Sequence, residues 1–359
     1  MTALSELLPA GGAGKVMDFV ASGTLPNGKP VVLKSDGQVE VVASTGSAES
    51  IPAGAEAVFN SGNTNEISAS FDPNNANKFV VVYRDTVNSY YGTAAVGTVS
   101  GTSISFGSEY VFNAGQSDYN SVSFDPNTSG KFVIAYRDSG NSQYGTSIIG
   151  TVSGTTISFG SEYVFNAGIS NYISVSFDPN TAGKFVVTYQ DDGNGTYGTA
   201  IVGTISGTTI SFGSEYVFRS AGTYYNYISF DPNTAGKFVV AYLDNGNSNY
   251  GTVIVGTVSG TSLSFGSEVL FNSATTAYIS VSFYNNTAGK FVVTYEDLGN
   301  SSYGTAIEGT VSGTSVSFGS EVLFNSATTY YTSASFDPNT AGKFVVAYMD
   351  GGNSSYGTA

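Results

Sequence analysis

Apolar and polar residues alternate along this chain in a pattern that returns every 53 residues, and the copy at residues 172–218 shows its parts. Tyr172-Ile-Ser-Val-Ser-Phe177 alternates apolar and polar positions, the period of a half-buried strand, strand a. Residues 178–183 read as a turn: Pro179 presets its backbone angle, Asp178 and Asn180 can bond local amides, and Gly183 admits positive φ. Lys184-Phe-Val-Val-Thr-Tyr189 is almost continuously apolar, as expected of a strand covered on both faces, strand b. After a turn at residues 191–195, Tyr197 to Ser206 gives strand c. Gly207 then starts a tight turn, and Thr209 to Phe212, running on to Phe218, gives strand d. The phenylalanine that closes strand a recurs at Phe71, Phe124, Phe177, Phe230, Phe283 and Phe336.

Four antiparallel strands in about 50 residues is the size of a β-propeller blade, whereas a β-helix coil is much shorter. No segment carries a helical period. The expectation is therefore an all-β fold, a β-propeller of four-stranded antiparallel blades, each burying its faces against its neighbours. Residues 16–60 read as a degenerate first blade, in which Val20-Ala21-Ser22 leads through Pro26-Asn27-Gly28-Lys29 to Val31-Val32-Leu33. Repeats then hold register from about residue 61 to residue 359, and the last copy stops at Tyr356-Gly-Thr-Ala359, as strand c begins. This count favours seven blades with the last incomplete. The alternative is six, with one blade assembled from both termini by pairing residues 331–350 with residues 38–60. Residues 1–15, rich in Gly and Ala around Leu7-Leu8, are expected to form an N-terminal arm.

Composition narrows the chemistry. Charged residues make up 11%, against roughly 25% in typical soluble domains. The chain lacks cysteine and histidine, hence a disulfide framework, the commonest general base and the commonest metal ligand. Twelve basic and 27 acidic residues give a net charge of −15, which repels phosphate backbones and anionic membrane surfaces. No nucleic-acid partner is expected. The N-terminus has no basic region followed by an apolar one, and no apolar run approaches the ~20 residues of a membrane helix, so neither a signal peptide nor membrane insertion is expected.

The most repeated polar constellation is Asp-x-x-Asn-x-x-Tyr-Gly-Thr between strands b and c, as in Asp138, Asn141, Tyr144 and again in Asp297, Asn300, Tyr303. Calcium, which takes six to eight oxygens, is the one cofactor it suggests, but one carboxylate per loop is few. Asp and Asn as turn formers explain it more simply, and no cofactor or metal is expected. Lys131 and Lys184 are expected to pair with Asp125 and Asp178. The b–c and d–a connections leave an up-and-down blade on the same face, and the d–a connections vary from copy to copy while concentrating tyrosines. The candidate ligand surface is therefore Tyr90, Tyr119, Asp138, Asn141, Tyr144, Tyr172, Tyr224, Tyr225, Asp297, Asn300, Tyr330 and Tyr331. Aromatic faces beside Asp and Asn acceptors suit a sugar, which offers C–H patches to a ring and hydroxyls to oxygens. The competing reading is that these tyrosines begin strand a and pack between blades. No nucleophile with a base, phosphate loop or metalloprotease motif is present, so a non-enzymatic role is expected.

The order of strands and turns resembles that of sialidase-like, Asp-box propellers, whose blades also run from an alternating strand through a Pro/Gly turn into a strand such as FVVAY. The Asp-box itself, Ser-x-Asp-x-Gly-x-Thr-Trp, is missing: the c–d turn reads TVSGTSISFGSE. The resemblance implies architecture alone, since its arginine triad would have to come from Arg84, Arg137 and Arg219, which occupy two different repeat positions. A second resemblance covers nearly the whole chain. Val20 to Gly23, Leu25, Asn27-Gly28, Val31, Leu33, Ser35-Asp36-Gly37 and Val39, followed by the repeats, are similar to structural proteins of tailed bacteriophages, especially marine ones. That likeness implies a virion or tail-fibre component made in a host cytoplasm and acting outside the cell. Its implied partners are other virion proteins and host-surface carbohydrate. A glycoside hydrolase of sialidase-like or other type and a lectin-like bacterial surface adhesin are the alternatives.

Overall fold

The computed structural model describes residues 54–340 and 342–359 in full; of residues 1–53 it describes the backbone of three short strands, Val20–Ala21, Val31–Leu33 and Gln38–Val41. Residues 1–53 and 54–359 are separate compact units. In the first, Val20–Ala21 runs parallel to Gln38–Val41, and Val31–Leu33 pairs antiparallel with the same strand. That order differs from the a–b–c meander anticipated for a degenerate copy, since Gln38–Val41 lies between the other two strands. The rest of the anticipated first blade up to residue 53, and the arm at residues 1–15, lie outside the described residues.

The second unit follows the repeat. Blade I consists of Thr64–Phe71, Lys78–Asp85, Tyr91–Ser100 and the first half of Ser103–Phe124. The second half of that 22-residue strand is strand a of blade II, which continues through Lys131–Asp138, Tyr144–Ser153 and into Thr156–Phe177. Blade III adds Lys184–Asp191, Tyr197–Ser206 and Thr209–Phe230. Blade IV runs through Lys237–Asp244, Tyr250–Ser259, Ser262–Phe265 and Val269–Phe283, and blade V through Lys290–Asp297, Tyr303–Ser312, Ser315–Phe318 and Val322–Phe336. Phe344–Asp350 and Tyr356–Thr358 follow as strands b and c of a sixth blade. The d–a connections are thus extended backbone passing from one blade to the next, and what varies in them is carried by bulged strand.

Strand b is the centre of each blade. Lys184–Asp191 pairs with strand a on one side and strand c on the other, and Val186, Val187 and Tyr189 are all 0% exposed. The core lies between blades: Phe124 packs on Val80 and Val82 of the preceding blade, and Phe177 on Val133 and Ala135 of its own predecessor. Strands a of successive blades touch directly. Val122 N donates to Ser68 Oγ at 3.2 Å, Val175 N to Ser121 Oγ at 3.1 Å and Ile228 N to Ser174 Oγ at 3.2 Å. Strand a is therefore innermost. Strand c carries a glycine where the ring of strand b needs room: a Cβ on Gly203 would lie 2.1 Å from Phe185 Cζ.

The a–b turn forms as its residues dictate. Asp125 Oδ1 accepts from Asn127 N at 2.9 Å, Asp125 N donates to Lys131 O, and Gly130 adopts φ 71°. The lysine is placed otherwise than expected. Lys131 Nζ donates to Gly207 O at 2.8 Å, and Lys184 Nζ to Gly260 O, each reaching the c–d turn of the next blade. Oδ1 of Asp125 and of Asp178 holds its own turn, and the two lysines serve as links between blades. Among the described residues no helix is long and apolar enough to cross a membrane.

Candidate functional site

At the b–c end of the blades, strand a departs from regular geometry at one repeat position. The register against strand b slips between Asn171 and Ser174, and the same slip recurs in every blade. The residue at the bulge has left-handed backbone each time: Glu66 (φ 53°), Tyr119 (53°), Tyr172 (48°), Tyr225 (52°), Tyr278 (48°) and Tyr331 (53°). Left-handed backbone is uncommon for a bulky side chain and costs of order 1–3 kcal/mol, tolerated where surrounding structure fixes it. Here it projects one tyrosine from each of five consecutive blades at the same height.

These rings meet in series. Centroid distances are 5.1 Å for Tyr119–Tyr172, 5.5 Å for Tyr172–Tyr225, 5.2 Å for Tyr225–Tyr278 and 4.7 Å for Tyr278–Tyr331. Tyr224 and Tyr330 pack against the same arc, 5.3 Å from Tyr172 and 5.6 Å from Tyr278. Most of the arc is half-buried, and Tyr331 is 66% exposed. Burial and neighbouring phenols push the Tyr172 and Tyr278 hydroxyls above the ordinary tyrosine value, which keeps these two neutral at physiological pH. Its first position is acidic: Glu66 Oε2 accepts from Tyr119 N at 2.9 Å.

Beside the arc, at the end of strand b, lies a polar layer that changes from blade to blade. Arg84 and Arg137 both bond Asp118, Arg137 Nη2 at 2.9 Å, and Arg137 also bonds Asn171. Ser139 and Gln116 complete the shell of that carboxylate. Burial works against its charge, but hydrogen bonds from Arg137, Ser139 and Gln116 outweigh it and hold Asp118 below the usual carboxylate range. Arg137 lies 4.8 Å over the Tyr119 ring. The same position is Gln190 in blade III, where Nε2 donates to Thr223 O at 2.8 Å, and Glu296 in blade V.

Of the residues singled out from sequence, Tyr119, Tyr172, Tyr224, Tyr225, Tyr330 and Tyr331 come together in the arc. Tyr90 sits apart from it in the blade I b–c turn, 49% exposed and 5.9 Å from the Arg84 guanidinium. Asp138 is buried, and its Oδ1 accepts from Asn113 Nδ2 (3.1 Å), Gly140 N (2.9 Å) and Asn141 N (3.2 Å). Asp297 accepts likewise from Asn272 Nδ2 and Gly299 N, each at 3.0 Å. These carboxylates hold their turns. Asn141 and Asn300 lie in those turns, and Tyr144 opens strand c. Among the described residues no group of three or more acidic, histidine or cysteine side chains is placed to hold a metal ion. Sequence reasoning missed Tyr278, Glu66 and Glu296; the 53-residue step from Tyr225 lands on Tyr278 and would have found it.

The three arginines fall into two places. Arg84 and Arg137 share Asp118, whereas Arg219 bonds Asp244 (2.9 Å) and Glu268 (3.0 Å) of blade IV. A cavity of about 280 Å³ opens at the opposite end of the blades, lined by Asp178, Thr181, Lys184, Gly236, Val258 and Gly260. It is a cleft between two blades, and its Asp178 is again engaged by its own turn.

No protein-family model matches the chain, and no curated protein matches it in sequence. Solved structures do match in shape. The microbial sialidase Hz136 aligns with a TM-score of 0.53 at 10% identity over 79% of this chain and 62% of its own. The GH93 α-L-arabinofuranosidase of Fusarium graminearum, in complex with arabinobiose, aligns at 0.51 and 10% identity over 82% of this chain and 91% of its own. The lectin SapL1, in complex with α-methyl fucoside, aligns at 0.50 and 13% identity over 79% and 88%. The fold is a β-propeller. At such identities the likeness is one of fold alone, and the resemblance of blade order to sialidase-like propellers holds at that level.

Proposed function

We propose that this propeller is a non-enzymatic carbohydrate-binding module whose sugar surface is the tyrosine arc. The observation that carries the proposal is the five tyrosines in left-handed backbone, stacked in series along the innermost strands. The bulge itself belongs to the blade, since Glu66 shares it; what points to a surface is that five of its six positions carry a tyrosine whose ring meets the next. A sugar pyranose stacks on such rings and bonds their hydroxyls. Binding is favoured over cleavage because glycoside hydrolysis ordinarily takes a pair of carboxylates, and of Glu66, Asp118, Asp138, Asp297 and Glu296 the last alone is left without an ion pair or a backbone amide among the described residues. Asp118 neutralises two guanidiniums, and Asp138 and Asp297 tie turns. Two of the three shape neighbours act on or are seen with sugars as enzymes and one as a lectin, which suits a glycan ligand without choosing between the classes.

The setting we propose is the virion of a tailed phage, with the propeller displayed on a tail fibre or appendage towards host-surface glycan. The sequence resemblance of the N-terminal stretch and the repeats supports this. A glycan array run alongside a hydrolysis assay tests the first part: bound glycans without turnover are expected, and turnover lost on mutating one carboxylate would overturn the non-enzymatic reading. Mass spectrometry of purified phage particles tests the second, and consistent absence of the peptides would count against it.

A further inference from the structure

The blades are near copies, so a position that has changed its chemistry can be judged against its equivalents. In blade II the tyrosine of the arc, Tyr119, carries a cation on its face: the Arg137 guanidinium lies 4.8 Å from the ring centre. Asp118, opposite Arg137 in the strand register, balances that charge. Three repeats on, the ring is Tyr278, the guanidinium is replaced by Glu296, and the aspartate opposite by Ala277. The aromatic face is kept, the cation is gone, and a carboxylate stands in its place.

Glu296 is 5% exposed. Among the described residues it forms no ion pair with a lysine or arginine. Taking a carboxylate out of water without a cation is costly, and the free protein bears that cost here. Around it the arc is dense: Tyr278 has Tyr225 at 5.2 Å, Tyr331 at 4.7 Å and Tyr330 at 5.6 Å. Several tyrosine faces beside one unpaired carboxylate are the elements that hold an ammonium group, the rings through their negative faces and the carboxylate through charge. The overall net charge of −15 draws a cation toward the protein.

We propose that the arc around Tyr278 binds a protonated amine, with Glu296 as its counter-charge, and that the sugar taken by this propeller is an amino sugar with a free ammonium group. This rests on the reading of the arc as a sugar surface and names the class of sugar. The amine supplies in blade V the positive charge that Arg137 supplies in blade II, and the truncation from Asp118 to Ala277 removes the side chain opposite.

The test is a titration of the full chain by calorimetry or ligand-observed NMR with four probes: glucosamine, N-acetylglucosamine, glucose and tetramethylammonium. Glucosamine is expected to bind at least about tenfold more tightly than the two neutral sugars. Glu296→Gln should abolish that ratio, with circular dichroism confirming the fold. Tyr278→Phe should keep it, because the ring face remains, and Asp192→Asn, an exposed carboxylate on a b–c turn, should keep it too. Equal binding of glucosamine and N-acetylglucosamine, or an undiminished ratio in Glu296→Gln, would overturn the ammonium site while leaving the sugar surface standing. Binding of glucosamine and tetramethylammonium with no binding of neutral sugars would uphold the ammonium site and remove the sugar surface. Failure of both amines to bind at tens of millimolar would overturn the proposal.

Discussion

Replacing Tyr189 by Phe removes one oxygen from a side chain that is 0% exposed and leaves its ring in place. That oxygen donates to Glu215 Oε1 at 2.7 Å across strands b and d of blade III. The same bond joins Tyr83 to Glu109, Tyr136 to Glu162 and Tyr242 to Glu268 at 2.7 Å, and Tyr295 to Glu321 at 2.8 Å. Tyr348, the copy in the sixth blade, has no carboxylate partner among the described residues, which provides an internal control. A hydrogen bond to a charged acceptor contributes about 1.5–3 kcal/mol. Glu215 is exposed and water can replace the lost donor, so the expected cost of Tyr189→Phe is at the low end, about 1–2 kcal/mol. Tyr348→Phe should cost less than about 0.5 kcal/mol, as a substitution that breaks no internal bond. Urea unfolding followed by circular dichroism measures the difference. Hydrogen exchange of strand b localises it, since a repeat array need not unfold in one step. In a cycle with Glu215→Ala, the double mutant should be little worse than either single mutant. Equal losses at Tyr189 and Tyr348, or strict additivity with Glu215→Ala, would refute the reasoning.

Phe230→Ala, at a side chain 5% exposed between blades, should cost about 3–5 kcal/mol, whereas Phe71→Ala, at the same repeat position but 62% exposed, should cost under about 1 kcal/mol by thermal or urea unfolding. Asp118→Ala should destabilise by about 3 kcal/mol, because two partly buried guanidiniums lose their shared counter-ion. The folded Asp118 binds its proton less readily than an unfolded aspartate. Its contribution is therefore present above the unfolded pKa and lost as pH falls through the lower folded one, and an acid titration of wild type against Asp118→Asn reads this directly. Glu296 has the opposite sign: burial raises its pKa, so stability should fall as pH rises from the unfolded glutamate value through the folded one, and Glu296→Gln should flatten that slope.

The repeat made the blade legible. Alternation in Tyr172–Phe177, the apolar run from Phe185 and the Asp-Pro-Asn turn each have one economical local solution, and the structure adopts all three. The sidedness of the tyrosines was also legible, because b–c and d–a connections must share a face in an up-and-down blade. The bulge was not, since nothing in the residue types of Asp118-Tyr119-Asn120 announces left-handed backbone at a tyrosine; it coincides with a slip in the pairing of strand a with strand b. Partner choice was equally hidden. Lys131 sits near Asp125 in sequence, but the turn engages Asp125 Oδ1 and the long lysine side chain reaches the next blade. In residues 16–53 the repeat is too eroded for pattern to fix pairing, and the short strands there combine in a different order.

The tyrosine arc is the proposed seat of the sugar. A crystal structure of the chain soaked with its best glycan-array ligand measures that most directly. Sugar density stacked on the rings of Tyr225, Tyr278 or Tyr331 is the predicted result; sugar bound only in the cleft lined by Asp178 and Lys184, or on the outer strands, would contradict it.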